Sequence, residues 1–337
     1  MLMNSNEYLL FVDNIKKRIK IAQYKAMLSA NEELIKLYWD IGNDLIRNDT
    51  WGSGFIDSLA KDIKIAMPNL KGYSARNLRY MKKFATEIKD TEFLQTVSAK
   101  LPWSHNIVLI EKLKTMDLRY WYGYKTLENA WSVEVLEHQI ATKLYDRQET
   151  ANKLHNFNLA LPAPQSELAI QTMKDPYVFD FVEFDENILE IQLEKQLVKN
   201  ITNLLLEMGT GFAFLGNQYH LSVGGEDFYL DMLFYNLKLK CYVVIDLKTA
   251  KFTPEQAGKM NFYLSVVDDQ LRSETDNPSI GLILCRNENK MVAEYALRDM
   301  SKPIGVSEYK LVQELPELFK DTLPDTAEIA NRLKFDE

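Results

Sequence analysis

Cysteine is nearly absent: the 337 residues hold two, Cys241 and Cys285, each inside an apolar strand-like run. That excludes a disulfide framework and a cysteine zinc site. Both read as small buried hydrophobes in a reducing compartment, and the cytoplasm is the expected location. Histidine is also scarce, with four residues. His105 and His138 have no ligand partner one helical turn away, so they read as structural. No apolar run approaches the roughly 20 residues of a membrane span. The opening MLMNSNEYLLFVDNIKKR carries its charges after the apolar patch, which is not the order of a signal peptide. A basic excess is missing too: the net charge is −8, which argues against a protein that coats nucleic acid. Internal repeats and low-complexity tracts are absent.

The charge that is present is unevenly spread. Residues 1–150 carry 22 basic and 19 acidic side chains, a net of +3, and residues 151–337 carry 18 and 29, a net of −11. A mildly basic front and an acidic back suit a division between binding and metal-dependent chemistry. The length favours two domains.

The front half is helical by pattern. Tyr8, Val12, Ile15, Ile19 and Ala22 recur at steps of three or four, and the period resumes in Leu28, Leu34, Leu37 and Ile41. A second helix is expected from Phe55 to Met67, stopping at Pro68. After the PNLKGY turn, Ser74 is a good N-cap. Leu78, Met81 and Phe84 then point inward, leaving Arg76, Arg79, Lys82 and Lys83 outside. Seven basic residues and one acid lie between Lys61 and Lys83. Helix, turn and helix with a basic outer face is the order of a helix-turn-helix, and this face is the candidate phosphate-binding surface. A solvated helix face is the plainer reading. Ser104 is expected to cap a further helix, and helices at 116–128 and 132–145 complete an all-helical domain over residues 1–155.

NFNLALPAPQ, with Pro162 and Pro164, reads as an extended connection, a short helix is expected from Ser166 and an extended arm from Pro176, so residues 156–185 form a linker or arm. The second domain, 186–337, is expected to open with a helix over 186–208 whose Leu189, Leu193, Leu197, Ile201 and Leu205 make one stripe. A strand over 212–223 follows, then the Gly224-Gly225 turn. Gln218 and His220 on that strand are low-ranking candidates for substrate contact.

The stretch from Phe228 to Tyr263, FYLDMLFYNLKLKCYVVIDLKTAKFTPEQAGKMNFY, organises the domain. It reads as strand, turn, strand, turn and helix. Side chains alternate along a strand, so Tyr242, Val244, Asp246 and Lys248 share one face. Asp231, on the neighbouring strand, can join them. Buried carboxylates without partners are costly, and a divalent cation such as Mg²⁺ or Mn²⁺ supplies a reason for two of them. Lys248 would sit beside water or developing phosphate charge. Taken singly, each charge could be a solvated strand end or an edge-strand guard. Pro254 starts the helix at its first position, and Gln256, Lys259 and Tyr263 share a face of it; a surface pair of Glu255 with Lys259 is the simpler account. A buried strand at 280–285, a helix at 292–297, a strand at 304–311 and a helical tail at 316–334 complete the reading.

The spacing D-x(14)-D-x-K resembles the metal-dependent nuclease core called PD-(D/E)xK. The phrases FYLDMLFYN, CYVVIDLK, PSIGLILC, AEYALRDMSKPIGVSEY, KGYSARNLRYM and LPWSHN are similar to those of the YhcG-like family of bacterial proteins, over about Tyr24 to Leu315. The resemblance implies an α/β nuclease core, a mixed sheet flanked by helices, behind an all-α helix-turn-helix-like domain. It implies phosphodiester hydrolysis of nucleic acid, DNA first, with Asp231 and Asp246 as metal ligands and Lys248 catalytic. Related nucleases place an acid on the helix before the first strand, a role carried onto Glu207. A supporting Gln-x-x-x-Tyr pair reads Lys259…Tyr263 here, with Gln256 one turn earlier. The family usually has Glu at Asp246 and often Gln at Lys259. Such nucleases commonly pair, so a homodimer is a candidate assembly. The competing expectation is a nucleic-acid-binding regulator or structural partner with a silent core.

Overall fold

The computed structural model describes residues 5–48, 52, 54–183 and 188–311. The expected helical tail at 316–334 lies outside them, as does the start of the helix expected from residue 186. Contacts divide the chain into two units that part after Ile140.

The first unit is all-helical. Helix α1 (Ser5–Arg47) runs unbroken through both apolar segments, followed by α2 (Phe55–Ala66), α3 (Ala75–Glu87), α4 (Thr91–Thr96), α5 (Trp103–Lys112), α6 (Met116–Asn129) and α7 (Val133–Ala141). Ser74 caps α3 by accepting the Asn77 N–H, and Leu78, Met81, Phe84 and Ala85 form its buried face. Gly42 lets α1 approach α3 closely: a Cβ there would stand 2.1 Å from the Met81 carbonyl oxygen. Trp103 packs edge-on against Tyr38 and Phe84 and donates its indole N–H to Asn77. The α5 cap is Pro102 rather than the expected Ser104. Buried His105 meets the Trp131 carbonyl at 2.9 Å, a structural contact.

Among the described residues, the second unit holds a seven-stranded mixed sheet. Its strands are β1 (Leu154–His155), β2 (Tyr177–Phe179), β3 (Phe212–Val223), β4 (Glu226–Asn236), β5 (Cys241–Lys251), β6 (Ile280–Asn287) and β7 (Ile304–Leu311), and its first helices, between β1 and β2, are α8 (Phe157–Ala160) and α9 (Gln165–Thr172), the latter close to the short helix expected from Ser166. The ladder β3–β4–β5 is antiparallel and β5–β6–β7 is parallel. Strand β1 pairs antiparallel and β2 parallel with β7. Alternation puts Val243, Ile245 and Leu247 against α10 (Glu190–Lys199) and α11 (Ile201–Met208) on one face. Val244 faces α12 (Pro254–Gln270) and α13 (Lys290–Arg298) on the other. Helices on both faces of a mixed sheet make the unit α/β.

Two expectations are corrected here. Residues 156–183 are not an extended spacer. Phe157, Leu161, Met173, Tyr177 and Phe179 enter the core beneath the sheet. The Asn156 side chain ties Met300, Lys302 and Ile304 together. A boundary after residue 155 therefore falls inside the sheet unit, because β1 and the segment after it are bound to β7. The single helix expected over 186–208 is two helices, which break at Asn200.

Candidate active site

The antiparallel ladder between β4 and β5 ends at Met232↔Ile245. Beyond it the two strands part, while β5 stays paired to β6 through Lys248↔Cys285 and, past an irregularity, at Lys251↔Asn287. At the fork, Asp231 Oδ2 accepts the Leu247 N–H at 2.8 Å in place of a backbone carbonyl. The sheet therefore opens where Asp231, Asp246 and Lys248 face one another.

Lys248 is the centre of the charges. Its Nζ lies 2.9 Å from Asp246 Oδ2, 3.1 Å from Glu190 Oε2 and 3.9 Å from Asp231 Oδ2. It donates to the Leu247 carbonyl at 2.7 Å. Lys259 Nζ stands 3.6 Å from Asp246 Oδ1 and 5.1 Å above the Tyr263 ring. Asp246 is buried, and neither of its oxygens has a hydrogen-bond partner. Lys248 reaches it at ion-pair distance without the alignment of a hydrogen bond, so the attraction is mainly coulombic. Burial, and then the Asp246 charge, push the Asp231 carboxyl up to about 6. Burial works against the Lys248 ammonium, but Asp246, Asp231 and Glu190 more than offset it and raise its pKa. Lys259 is raised by Asp246 and Tyr263 against the same burial effect.

The fork thus joins four expected residues, Asp231, Asp246, Lys248 and Lys259, with Tyr263 beneath Lys259. Gln256 is engaged elsewhere: its Oε1 accepts the Thr253 N–H in the capping box of α12. Glu207 is the main correction. It is fully buried at the end of α11, with Arg147 Nη1 2.5 Å from Oε1 and Lys174 Nζ 3.6 Å from Oε2. The Val178 N–H also donates to Oε1 at 2.9 Å, and Lys174 donates to the Glu207 carbonyl. These partners take up the lone pairs a metal would need. Burial alone would raise this carboxyl, but Lys174 and Arg147 overcome it and hold the pKa low.

The acid that reaches the fork from the preceding helices is Glu190, at the first turn of α10. Sequence reading missed it because an acid there reads as a complement to the helix dipole. Gln218 and His220 are occupied too, Gln218 with buried Glu194 at 2.5 Å and His220 with Asp227 at 2.7 Å.

In the first unit, Arg76, Arg79 and Lys83 are exposed and Lys82 is half-buried. Arg79 is paired with Asp57 at 2.7 Å. Arg76 lies 5.6 Å over the Tyr80 ring.

The residues of the fork fit a divalent cation. Asp246 offers two buried oxygens met by the Lys248 and Lys259 ammonium groups and by no backbone donor, and Asp231 sits beside it with its charged form disfavoured. Among the described residues no group of three His, Cys, Asp or Glu side chains is placed to hold a metal. Two protein carboxylates, with phosphate and water supplying the other oxygens, is the usual provision for Mg²⁺.

A mixed sheet flanked by helices, with two acids and a lysine at a strand fork, is the architecture of a PD-(D/E)xK nuclease domain. Residues 170–324 match the family described as YhcG PDDEXK nuclease domain, and residues 14–147 match the DUF1016 N-terminal domain. The chain is 30% identical, over 95% of its length and 92% of the other's, to an Escherichia coli (strain K12) protein described as "Putative nuclease YhcG". The chain belongs to the YhcG family. Among solved structures, "Structure of EndoMS-dsDNA2 complex" aligns at 15% identity and a TM-score of 0.27, over 40% of this chain and 50% of that one. A repair endonuclease from Pyrococcus abyssi aligns at 14% and 0.25, over 38% and 49%. The matched region thus spans about half of those chains.

Proposed function

We propose that the second unit hydrolyses phosphodiester bonds of DNA with Mg²⁺ or Mn²⁺, and that the basic face of the first unit holds the phosphate backbone. The observation that carries this reading is the fork itself: two carboxylates and one ammonium converge where the β4–β5 ladder ends. Asp231 and Asp246 would hold the cation, which when bound supplies neutralising charge and Lewis acidity toward a phosphate oxygen. Lys248 keeps its proton, since its pKa is raised. Beside a bound cation it would orient the attacking water and the scissile phosphate. Asp246 and Glu190 hold that ammonium from two sides and set its position. Lys259 is partly exposed and lies within reach of Asp246, so it can neutralise that acid or swing toward an incoming phosphate. Asp246 and Lys259 also speak for a second reading, a silent core that only binds nucleic acid, because an ammonium already stands beside one of the candidate ligands.

The test is cleavage of linear, single-stranded and branched DNA and RNA by purified protein in Mg²⁺, Mn²⁺ or chelator. Metal-dependent cutting by wild type, lost in Lys248→Ala with binding retained, is the expected result. Metal-independent cutting, or normal cutting by Lys248→Ala, would overturn the assignment; binding without cutting would favour the second reading. We place the protein in the cytoplasm, since both thiols are free and buried. Among the described residues no helix is long and apolar enough to cross a membrane.

The basic face gives a separate prediction. Each phosphate contact removed should lower the steepness of log K against log salt by roughly one. Arg76→Ala with Lys83→Ala should flatten the slope by about two on that count. Arg79→Ala should do less, because Asp57 already neutralises that guanidinium. An unchanged slope in the double variant would reduce the face to solvated surface.

A further inference from the structure

Helix α1 carries two apolar faces, and among the described residues of its unit only one is covered. The covered face lies toward its C-terminal half: Ile35, Tyr38 and Leu45 are buried, and Asn31 donates to the Ala99 and Leu101 carbonyls. About a third of a turn around the helix runs a second stripe in two halves, spaced at three and four residues from Val12 to Ala22 and again from Met27 to Leu37. It is largely open: Ile19 is 52% exposed, Leu34 37% and Leu37 44%, although Val12 and Ile15 are half-covered.

The stripe nearly repeats itself when read backwards about a point between residues 24 and 25. Val12 then falls opposite Leu37, Ile15 opposite Leu34, Ile19 opposite Ala30 and Ala22 opposite Met27. The charges favour the same reversal. Lys16, Lys17, Arg18, Lys20 and Lys25 form a basic block free of acids, and Glu32 and Glu33 follow it. Antiparallel pairing brings the Lys16–Lys17 end of the basic block of one copy level along the axis with Glu32 and Glu33 of the other; of these Lys16 and Glu33 flank the stripe. Parallel pairing would set the basic block beside itself, at a coulombic cost. Residues 12–37 span roughly 39 Å at 1.5 Å per residue, enough for about three and a half heptads.

We propose that this stripe is the interface of an antiparallel dimer, in which α1 of one copy lies along α1 of a second copy in that register. The inference is independent of the nuclease chemistry, because it rests on residues of the first unit alone.

The full chain, 39.2 kDa as a monomer, should sediment as a dimer. Ile19→Glu and Leu34→Glu should each raise the dissociation constant at least about tenfold, because each buries a charge twice in a symmetric seam. Both positions are exposed in the monomer, so helix content and melting of the monomer should hold. Orientation is read by disulfide trapping, which the two buried native cysteines do not disturb. Ala26→Cys lies near the centre of reversal and should link two copies under mild oxidation. Val12→Cys should not, since in the antiparallel pair the two copies of residue 12 are about 38 Å apart. A monomer at tens of micromolar, a dimer indifferent to both Glu variants, or ready linkage through Val12→Cys would each overturn the proposal.

Discussion

Asp231→Asn will abolish phosphodiester cleavage and, in chelator at pH 8, will raise the melting temperature of the protein. Both effects come from the same crowding. Asp231 is held among buried atoms beside Asp246, which pushes its carboxyl up to about 6 from 3.8. Between those values the folded state keeps a proton that the unfolded chain has released. Stability therefore falls as pH rises through that window and stays low above it. A shift of that size corresponds to at most about 3 kcal/mol, with coupling to Asp246 and Lys248 making the real figure smaller. Asn carries no such penalty, and its side-chain oxygen can still accept the Leu247 N–H. The gain in the variant should be a few degrees at pH 8 and should vanish below about pH 4. Added Mn²⁺ should stabilise wild type, by roughly 2.7 kcal/mol at a hundredfold excess over Kd, and should stabilise the variant far less. Cleavage should drop by at least about a hundredfold. A variant that melts below wild type in chelator at pH 8, with an unaltered response to Mn²⁺, would make Asp231 a structural residue.

Glu207→Ala will act in the opposite sense, costing stability outright. The substitution leaves Arg147 and Lys174 buried without their shared anion. Removing one member of a buried ion pair costs about 3–5 kcal/mol, which for a unit of this size is on the order of 10 °C. Glu207→Gln should recover part of the loss by keeping a hydrogen-bond acceptor for the Val178 N–H. The pKa of Glu207 is lowered, so its contribution is present above the ordinary carboxylate range near 4.5 and is lost as pH falls through the folded value. The deficit of the variant should therefore shrink in acid. Its response to Mn²⁺, scaled to its own melting temperature, should match wild type. Near-normal stability with a lost metal response would restore Glu207 to the metal site.

The alternation of apolar residues made the sheet legible from sequence. The 212–223 and 304–311 strands have the expected bounds, and Asp246 and Lys248 share a face because the period of a strand admits nothing else. Tyr263 and Lys259 were legible for the same reason, one turn apart on a helix that Pro254 starts. What escaped was long-range. Glu190 reaches Lys248 across 58 positions, and Arg147 reaches Glu207 across 60. Neither pairing leaves a local pattern, since an ion pair needs only two charges brought together by the fold. The proline-rich segment misled because prolines mark an extended backbone without saying whether it is exposed.

The anion of Glu207 is neutralised by a guanidinium that precedes β1, and that guanidinium also donates to the Thr142 and Pro176 carbonyls. The catalytic half is therefore not a cassette that can be cut at the prolines and moved. A fragment starting at residue 156 or 170 would lose Arg147 together with the strand bound to the edge of β7. Gene fusions and recombinants that trade the front half for another must carry the stretch from about Thr142 with the nuclease. Any junction that survives exchange should lie between α7 and that residue.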